Sequence, residues 1–145
     1  MIYELFIDTN VIIDYLTNRK PFSKSAYHIF SLAEKGIVRL NISVISFTTI
    51  YYILRRNNSH QKIINSLSLL SRLCKVIPLD QNILDQAMKS DFSDFEDAVQ
   101  YYSALQNKNC STIISRNTKD FQSSIIKVML PDELLNVNEF NPDFN

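Results

Sequence analysis

Tyr3-Glu4-Leu5-Phe6-Ile7-Asp8-Thr9-Asn10-Val11-Ile12-Ile13-Asp14 opens on a hydrophobic run and then breaks it with an acid. Tyr3 to Ile7 reads as a buried strand, and a short helix follows from Asn10 to Leu16 with Val11, Ile12 and Tyr15 on one side. A carboxylate ending a buried strand needs a reason, because charge removed from water is costly. Two later stretches repeat the theme. Asp94-Phe95-Glu96-Asp97-Ala98 opens a helix, and Ser115-Arg116-Asn117-Thr118-Lys119-Asp120-Phe121 follows a second hydrophobic run. In an open α/β sheet, strand C-terminal ends and the helix starts beside them converge on one crevice. Converging carboxylates repel each other unless a divalent cation neutralises them, so the natural occupant is Mg²⁺ or Mn²⁺.

Working outward, Pro21 ends the first helical segment region, and Ser23 to Lys35 reads as a helix with Phe22, Ala26, Ile29, Phe30 and Ala33 at helical spacing. Gly36, the single glycine, reads as the residue just past that helix's C-terminus. Val38 to Ile42 reads as a strand. Ser46–Arg56 and His60–Arg72 read as a helix hairpin, with Phe47, Ile50, Tyr51 and Leu54 inward on the first and Ile63, Ile64, Leu67 and Leu70 on the second. Cys74 to Ile77 is a short strand. Asp80 and Asp94 are N-caps of two further helices, the second with Phe95, Ala98, Val99, Tyr102 and Leu105 inward. Strands at Thr112–Ser115 and Val128–Leu130 and a short helix at Asp132–Leu135 complete the chain. The alternation implies a three-layer α/β/α sandwich with a central, mostly parallel sheet flanked by helices. Residues 1–135 are expected to form one domain, followed by a polar tail, 136–145, without fixed order.

Composition narrows the function classes. The 145 residues suffice for one domain with a sizeable core. Zero formal net charge argues against a basic nucleic-acid coat, though not against a local basic rim. Cys74 and Cys110 fit free, buried thiols rather than a disulfide scaffold, and two Cys with two scattered His make a structural zinc site poor. One glycine excludes a glycine-rich phosphate loop. The start lacks the pattern of a secretory signal and no apolar run reaches membrane-span length, so a soluble cytoplasmic protein is expected, with no membrane partner.

Asp8 is the leading candidate for metal binding; the competing reading is a plain helix cap. Asp94 and Asp97 share a helix face, with Asp97 preferred as ligand and Asp94 as cap or support. Glu96 is expected to project elsewhere into solvent, and Asp14 to be solvated or salt-bridged. Asn117 offers a neutral oxygen to a metal, whereas Asp120 either joins it, caps, or pairs with Arg116. Ser115 and Arg116 are placed to hold a phosphate, with Lys119, Arg55 and Arg56 as further basic contacts or ordinary surface charges. Thr9 and Asn10 are expected to orient the Asp8 carboxylate. The set implies metal-assisted hydrolysis of a phosphodiester, with Asp8, Asp97 and Asn117 as the catalytic group. His28 and His60 fall away from the acids, and no serine, cysteine or histidine nucleophile system competes.

Phe6-Ile7-Asp8-Thr9-Asn10-Val11-Ile12-Ile13-Asp14-Tyr15-Leu16 resembles the opening motif of PIN-domain proteins. Asp94-Phe95-Glu96-Asp97-Ala98 resembles their third acidic motif, and Ile114-Ser115-Arg116-Asn117 with Asp120-Phe121 their closing segment. The resemblance implies a parallel sheet flanked by helices and a Mg²⁺- or Mn²⁺-dependent ribonuclease, often the VapC-type toxin of a bacterial toxin–antitoxin pair. It further implies RNA as substrate, an antitoxin protein as partner, and a homodimer. By motif, Asp8 and Asp97 are the metal-binding acids, and Asn117 stands where many members carry a fourth acid, with Asp120 close by. One departure matters. Thr49 occupies the position where the family usually has a glutamate, and no acid lies between Glu34 and Asp80. Fewer charges lower cation affinity. Asp94 is the expected partial substitute, and Thr49→Glu is expected to tighten Mn²⁺ binding. The alternative is a weak or inactive PIN module that binds RNA or a protein. Other acid-based phosphohydrolases rank lower: haloacid-dehalogenase-like enzymes need an aspartate where Asn10 stands, and receiver domains need one between Asp14 and Asp80.

Overall fold

A computed structural model describes residues 2–141. Five strands, β1 (Tyr3–Ile7), β2 (Val38–Ser43), β3 (Lys75–Ile77), β4 (Cys110–Ile114) and β5 (Lys127–Met129), form one sheet in the order β3-β2-β1-β4-β5. Every pairing is parallel. The helices are α1 (Thr9–Thr17), α2 (Ser23–Glu34), α3 (Val44–Leu54), α4 (His60–Leu73), α5 (Gln81–Lys89), α6 (Phe95–Gln106) and α7 (Pro131–Leu135). The expected α/β/α sandwich is therefore present, and the sheet is wholly parallel rather than mostly so.

The period-two alternation of β1 sorts the core. Leu5 and Ile7 face one side with Leu40, Ile42 and Ile114, where Val11, Ile12, Ile29 and Phe30 of α1 and α2 cover them. Phe6 faces the other side with Ile113, covered by Tyr101 and Ala104 of α6 and by Phe121. A third cluster joins Ile83 and Ala87 of α5 to Ala98 and Val99 of α6. Burial on both faces explains why the central strands read as nearly unbroken apolar runs.

Helix ends follow local chemistry. Gly36 has φ +74, and Gly36 N donates to Ala33 O while Ile37 N donates to Leu32 O, the paired bonds of a Schellman cap. Asp80 accepts from Ile83 N at 2.9 Å and Asp94 from Asp97 N at 3.0 Å, as expected of N-caps. Ser43 accepts from Ile45 N at 3.3 Å, which starts α3 two residues before the expected Ser46.

Three expectations change. Phe95, expected inward, is 51% exposed, because the first residue of α6 precedes the turn that meets the sheet. Ile64 is exposed as well, since α4 buries only Ile63 and Leu70 fully. The stretch after α7 is not a loose tail as far as Asn141: a 3₁₀ turn at Asn138–Phe140 puts Phe140 into the core, edge-on to Tyr3 at 5.1 Å. The Tyr3 hydroxyl donates to Glu139 Oε2 at 2.7 Å. Residues 142–145 lie outside the described part. Cys74 and Cys110 are free thiols, and burial pushes Cys74 up to about 12.

Candidate active site

The strand order reverses at β1: β2 and β3 lie to one side of it, β4 and β5 to the other. In such sheets the gap beyond the C-terminal ends at the reversal is where ligands bind. Asp8 is the first residue past β1 and Ser115 the first past β4. Asp8 N donates to Ile114 O at 3.0 Å, so the two strand ends are locked together. The crevice above them measures about 520 Å³ and is lined by Asp8, Thr9, Asn10, Thr49, Asp94, Glu96, Asp97, Gln100, Asn117 and Asp120, among others.

Asp8 is 2% exposed. Its Oδ2 accepts from Ser115 Oγ at 2.7 Å, and Ser115 Oγ accepts in turn from Asn117 N at 2.9 Å. The cap reading fails: Asp8 occupies the N-cap position of α1, but its side chain makes no capping bond. Burial pushes its carboxyl up, against the opposing pull of Ser115, Gln100, Thr9 and the Arg116 charge. Gln100, itself buried, accepts from Thr9 N at 3.1 Å and so holds the start of α1 against α6.

On α6, Asp94 is the cap and Asp97 points into the crevice, as expected. Burial, then the charges of Asp8, Asp94, Asp120 and Glu96, push Asp97 up to about 7. Glu96 corrects the sequence reading. It is half-buried and lines the crevice, accepting from Thr9 Oγ1 at 3.2 Å and from Thr49 Oγ1 at 3.4 Å. The signal that could have placed it is the polar stripe Glu96, Gln100, Ser103 at i, i+4, i+7 on a helix otherwise apolar towards the sheet. Gln100 and Ser103 are both buried.

The basic residues also depart from expectation. Arg116 Nε lies 2.7 Å from Asp14 Oδ2, and its NH2 group donates to Oδ1 at 3.3 Å. Its guanidinium stacks 4.0 Å over the Phe22 ring. Arg116 is therefore engaged in an ion pair with Asp14, which is salt-bridged rather than solvated. Arg116 pairs with Asp14 and not with Asp120, which stays exposed at the crevice. The Ser115 hydroxyl donates to Asp8 and supports that carboxylate. Lys119 sits outside the crevice, in a neighbouring depression with Asp91, Ser93, Asp120, Gln122 and Ser123. Arg55 lies over the Tyr52 ring at 4.4 Å.

A family model described as the PIN domain matches residues 4–119. The chain belongs to the PIN-domain family. It is similar to "Ribonuclease VapC1" of Aquifex aeolicus, 27% identical over 135 residues that span 90% of this chain and 92% of that one. In fold it resembles a toxin–antitoxin complex from Klebsiella pneumoniae, with TM-score 0.64 and 22% identity over 88% of this chain and 97% of that one. It also resembles VapC20 of Mycobacterium tuberculosis, a sarcin–ricin-loop-cleaving toxin, with TM-score 0.65 and 14% identity over 86% and 98%.

The crevice of this PIN domain fits a hard divalent cation by the chemistry of its donors. Asp8, Asp94, Glu96, Asp97 and Asp120 supply carboxylates, Asn117 and Gln100 supply amide oxygens, and no lysine, arginine, histidine or cysteine lines it among the described residues. Among those residues no three acids, histidines or cysteines are already gathered into a ligating cluster. Like charges without a counter-ion stand apart, and a cation would draw them in.

This imbalance has a consequence for stability. Asp97 is raised from 3.8 to about 7, and Asp8 and Glu96 are raised with it, so across the Asp97 window the folded chain binds more protons than the unfolded one. Stability is then fully present below that window and falls as pH rises through it. In EDTA the melting temperature should be several degrees lower at pH 8 than at pH 5, and Mn²⁺ at pH 8 should restore it by binding the folded state. A metal-free melting temperature that climbs from pH 5 to 8 would contradict this account.

Proposed function

We propose that this PIN domain is a divalent-metal-dependent endoribonuclease and the toxin of a toxin–antitoxin pair. The observation that carries the reading is the crevice itself, five carboxylates at the sheet's reversal point with no basic side chain lining it among the described residues. The likeness to a curated ribonuclease along most of both chains supports the substrate class. Asp8 and Asp97 would hold Mg²⁺ or Mn²⁺, with Asn117 and Asp120 lining the same crevice. When bound, the ion polarises a phosphoryl oxygen and lowers the pKa of the attacking water.

The chain's own residues set the geometry. Ser115 fixes the rotamer of Asp8 by its 2.7 Å bond, and the Asn117 amide fixes Ser115, so the two strand ends share one rigid corner. Asp94 holds the first turn of α6 and with it the position of Asp97. Lys119, in the depression beside the crevice, is the cation proposed to meet a phosphate, and binding should weaken as salt rises.

An antitoxin protein is the proposed partner, since structural relatives include toxin–antitoxin assemblies. A homodimer is proposed on the α3–α4 hairpin, which exposes Tyr52, Ile53, Ile64 and Leu69. Among the described residues no helix is long and apolar enough to cross a membrane, and we place the protein in the cytoplasm. The test is cleavage of a mixed structured-RNA pool with Mn²⁺, Mg²⁺ or EDTA, beside the Asp8→Asn/Asp97→Asn double variant. Metal-dependent cutting that EDTA and the variant both lose is expected. No cutting at high Mn²⁺ by well-folded protein would replace this reading with a non-catalytic binding module.

A further inference from the structure

We propose that Glu96 is a metal-binding carboxylate of this centre, held in place by Thr49 and Thr9, so that α6 supplies the negative charge that α3 lacks. The inference rests on the metal-dependent reading above. Its basis is the placement of one side chain. An acid in the first turn of a helix is favoured there while fully solvated, by the exposed amides alone. Glu96 instead turns into the crevice and becomes half-buried. Its two oxygens are met by hydroxyls from two different helices, Thr9 Oγ1 of α1 at 3.2 Å and Thr49 Oγ1 of α3 at 3.4 Å. The Thr9 hydroxyl lies 2.8 Å from the buried Ser46 hydroxyl, and with Ser46 as donor in that bond the Thr9 proton goes to Glu96.

The kind of partner matters. Hydroxyls orient a carboxylate without neutralising it, whereas a lysine or arginine would cancel its charge. No basic side chain lines the crevice among the described residues, so the charge of Glu96 stays available to a cation. Asp94, the expected substitute for the missing acid, is engaged as the cap of α6 at 3.0 Å. Thr49 is then the seat for a glutamate that arrives from α6. It also follows that Thr49→Glu alone would set two carboxylates against each other and would not tighten metal binding, contrary to the expectation from sequence.

The test is Mn²⁺ titration of the full chain by calorimetry and by the paramagnetic signal of free Mn²⁺, with thermal melts of each variant. Glu96→Gln, which keeps the shape, should weaken Mn²⁺ binding by about tenfold or more, and Thr49→Val by a smaller factor. Thr49→Glu placed in the Glu96→Gln background should recover most of the loss, because the charge returns from the other wall. Should Glu96→Gln prove unstable, Glu96→Asp retracts the carboxylate and should weaken binding likewise. Wild-type protein that binds Mn²⁺ beside a Glu96→Gln variant that binds it equally would overturn this inference and leave the nuclease reading standing. Wild-type protein that binds no Mn²⁺ would overturn both.

Discussion

Asp8→Asn is expected to lower RNA cleavage by about 10³-fold while leaving the metal-free protein at least as stable as the wild type. The activity loss follows from removing a charged donor at the most enclosed corner of the crevice. A cation that stabilises developing phosphoryl charge contributes several kcal/mol, and about 4 kcal/mol corresponds to three decades in rate. The stability effect runs the other way. Asp8 is 2% exposed, its hydrogen bonds come from neutral groups, and the one nearby positive charge acting on it, Arg116, is already paired with Asp14. Asparagine keeps the size and an oxygen for Ser115 while removing a desolvated charge. Parallel measurement of cleavage rate and of melting temperature in EDTA checks both halves. A variant that cleaves within a few-fold of wild type would remove Asp8 from the metal-binding set. One that melts far lower would show that its carboxylate is needed for the fold.

The largest stability effect is expected elsewhere, at the buried pair of Asp14 and Arg116. Asp14 is 1% exposed on α1, and Arg116 follows β4, so the pair ties the first helix to the far side of the crevice. Arg116→Ala strands the Asp14 carboxylate, which for buried pairs costs roughly 3–5 kcal/mol. With the Arg116 side chain 20% exposed, water can partly relieve the charge. The lower end, about 3 kcal/mol, is therefore expected, a fall of about 6–12 °C in melting temperature for a chain of this size. Replacing both partners, Asp14→Leu with Arg116→Met, should recover most of the loss, because neither charge is then left alone. A double-mutant cycle by urea unfolding measures this directly. Arg116→Ala that melts with the wild type would disprove the structural role. A change in the salt dependence of RNA binding on Lys119→Ala, and not on the Asp14→Leu/Arg116→Met pair, would assign the phosphate contact to Lys119.

The difference between Arg116 and Lys119 shows where linear reasoning stops. Both follow the same strand and carry the same charge. Nothing local says that Arg116 folds back onto Asp14 and Phe22, two elements that lie roughly a hundred residues upstream. Glu96 is the converse case. Beside Asp97 and in the first turn of a helix, it reads as a solvated acid, and only the approach of α1 and α3 gives its carboxylate two hydroxyl partners. The same holds for the stretch after α7, where a polar composition hid Phe140, which meets Tyr3.

What the sequence alone determined was the type and order of the elements and the corner at which the acids meet. Runs of apolar residues, caps at Asp80 and Asp94, and the turn at Gly36 are local signals, because propensity, capping and backbone sterics act over a few residues. Asp8 and Asp97 were legible for the same reason: each interrupts or opens an element whose apolar pattern makes an acid conspicuous. What the tertiary structure alone decided was which neighbour each charge meets. Hydrogen bonds and ion pairs act over a few ångströms, and the distances between α1, α3, α6 and the segment after β4 exist only once the helices have packed on the sheet. That packing gives Asp14 to Arg116, Ser115 to Asp8, and Glu96 to Thr49.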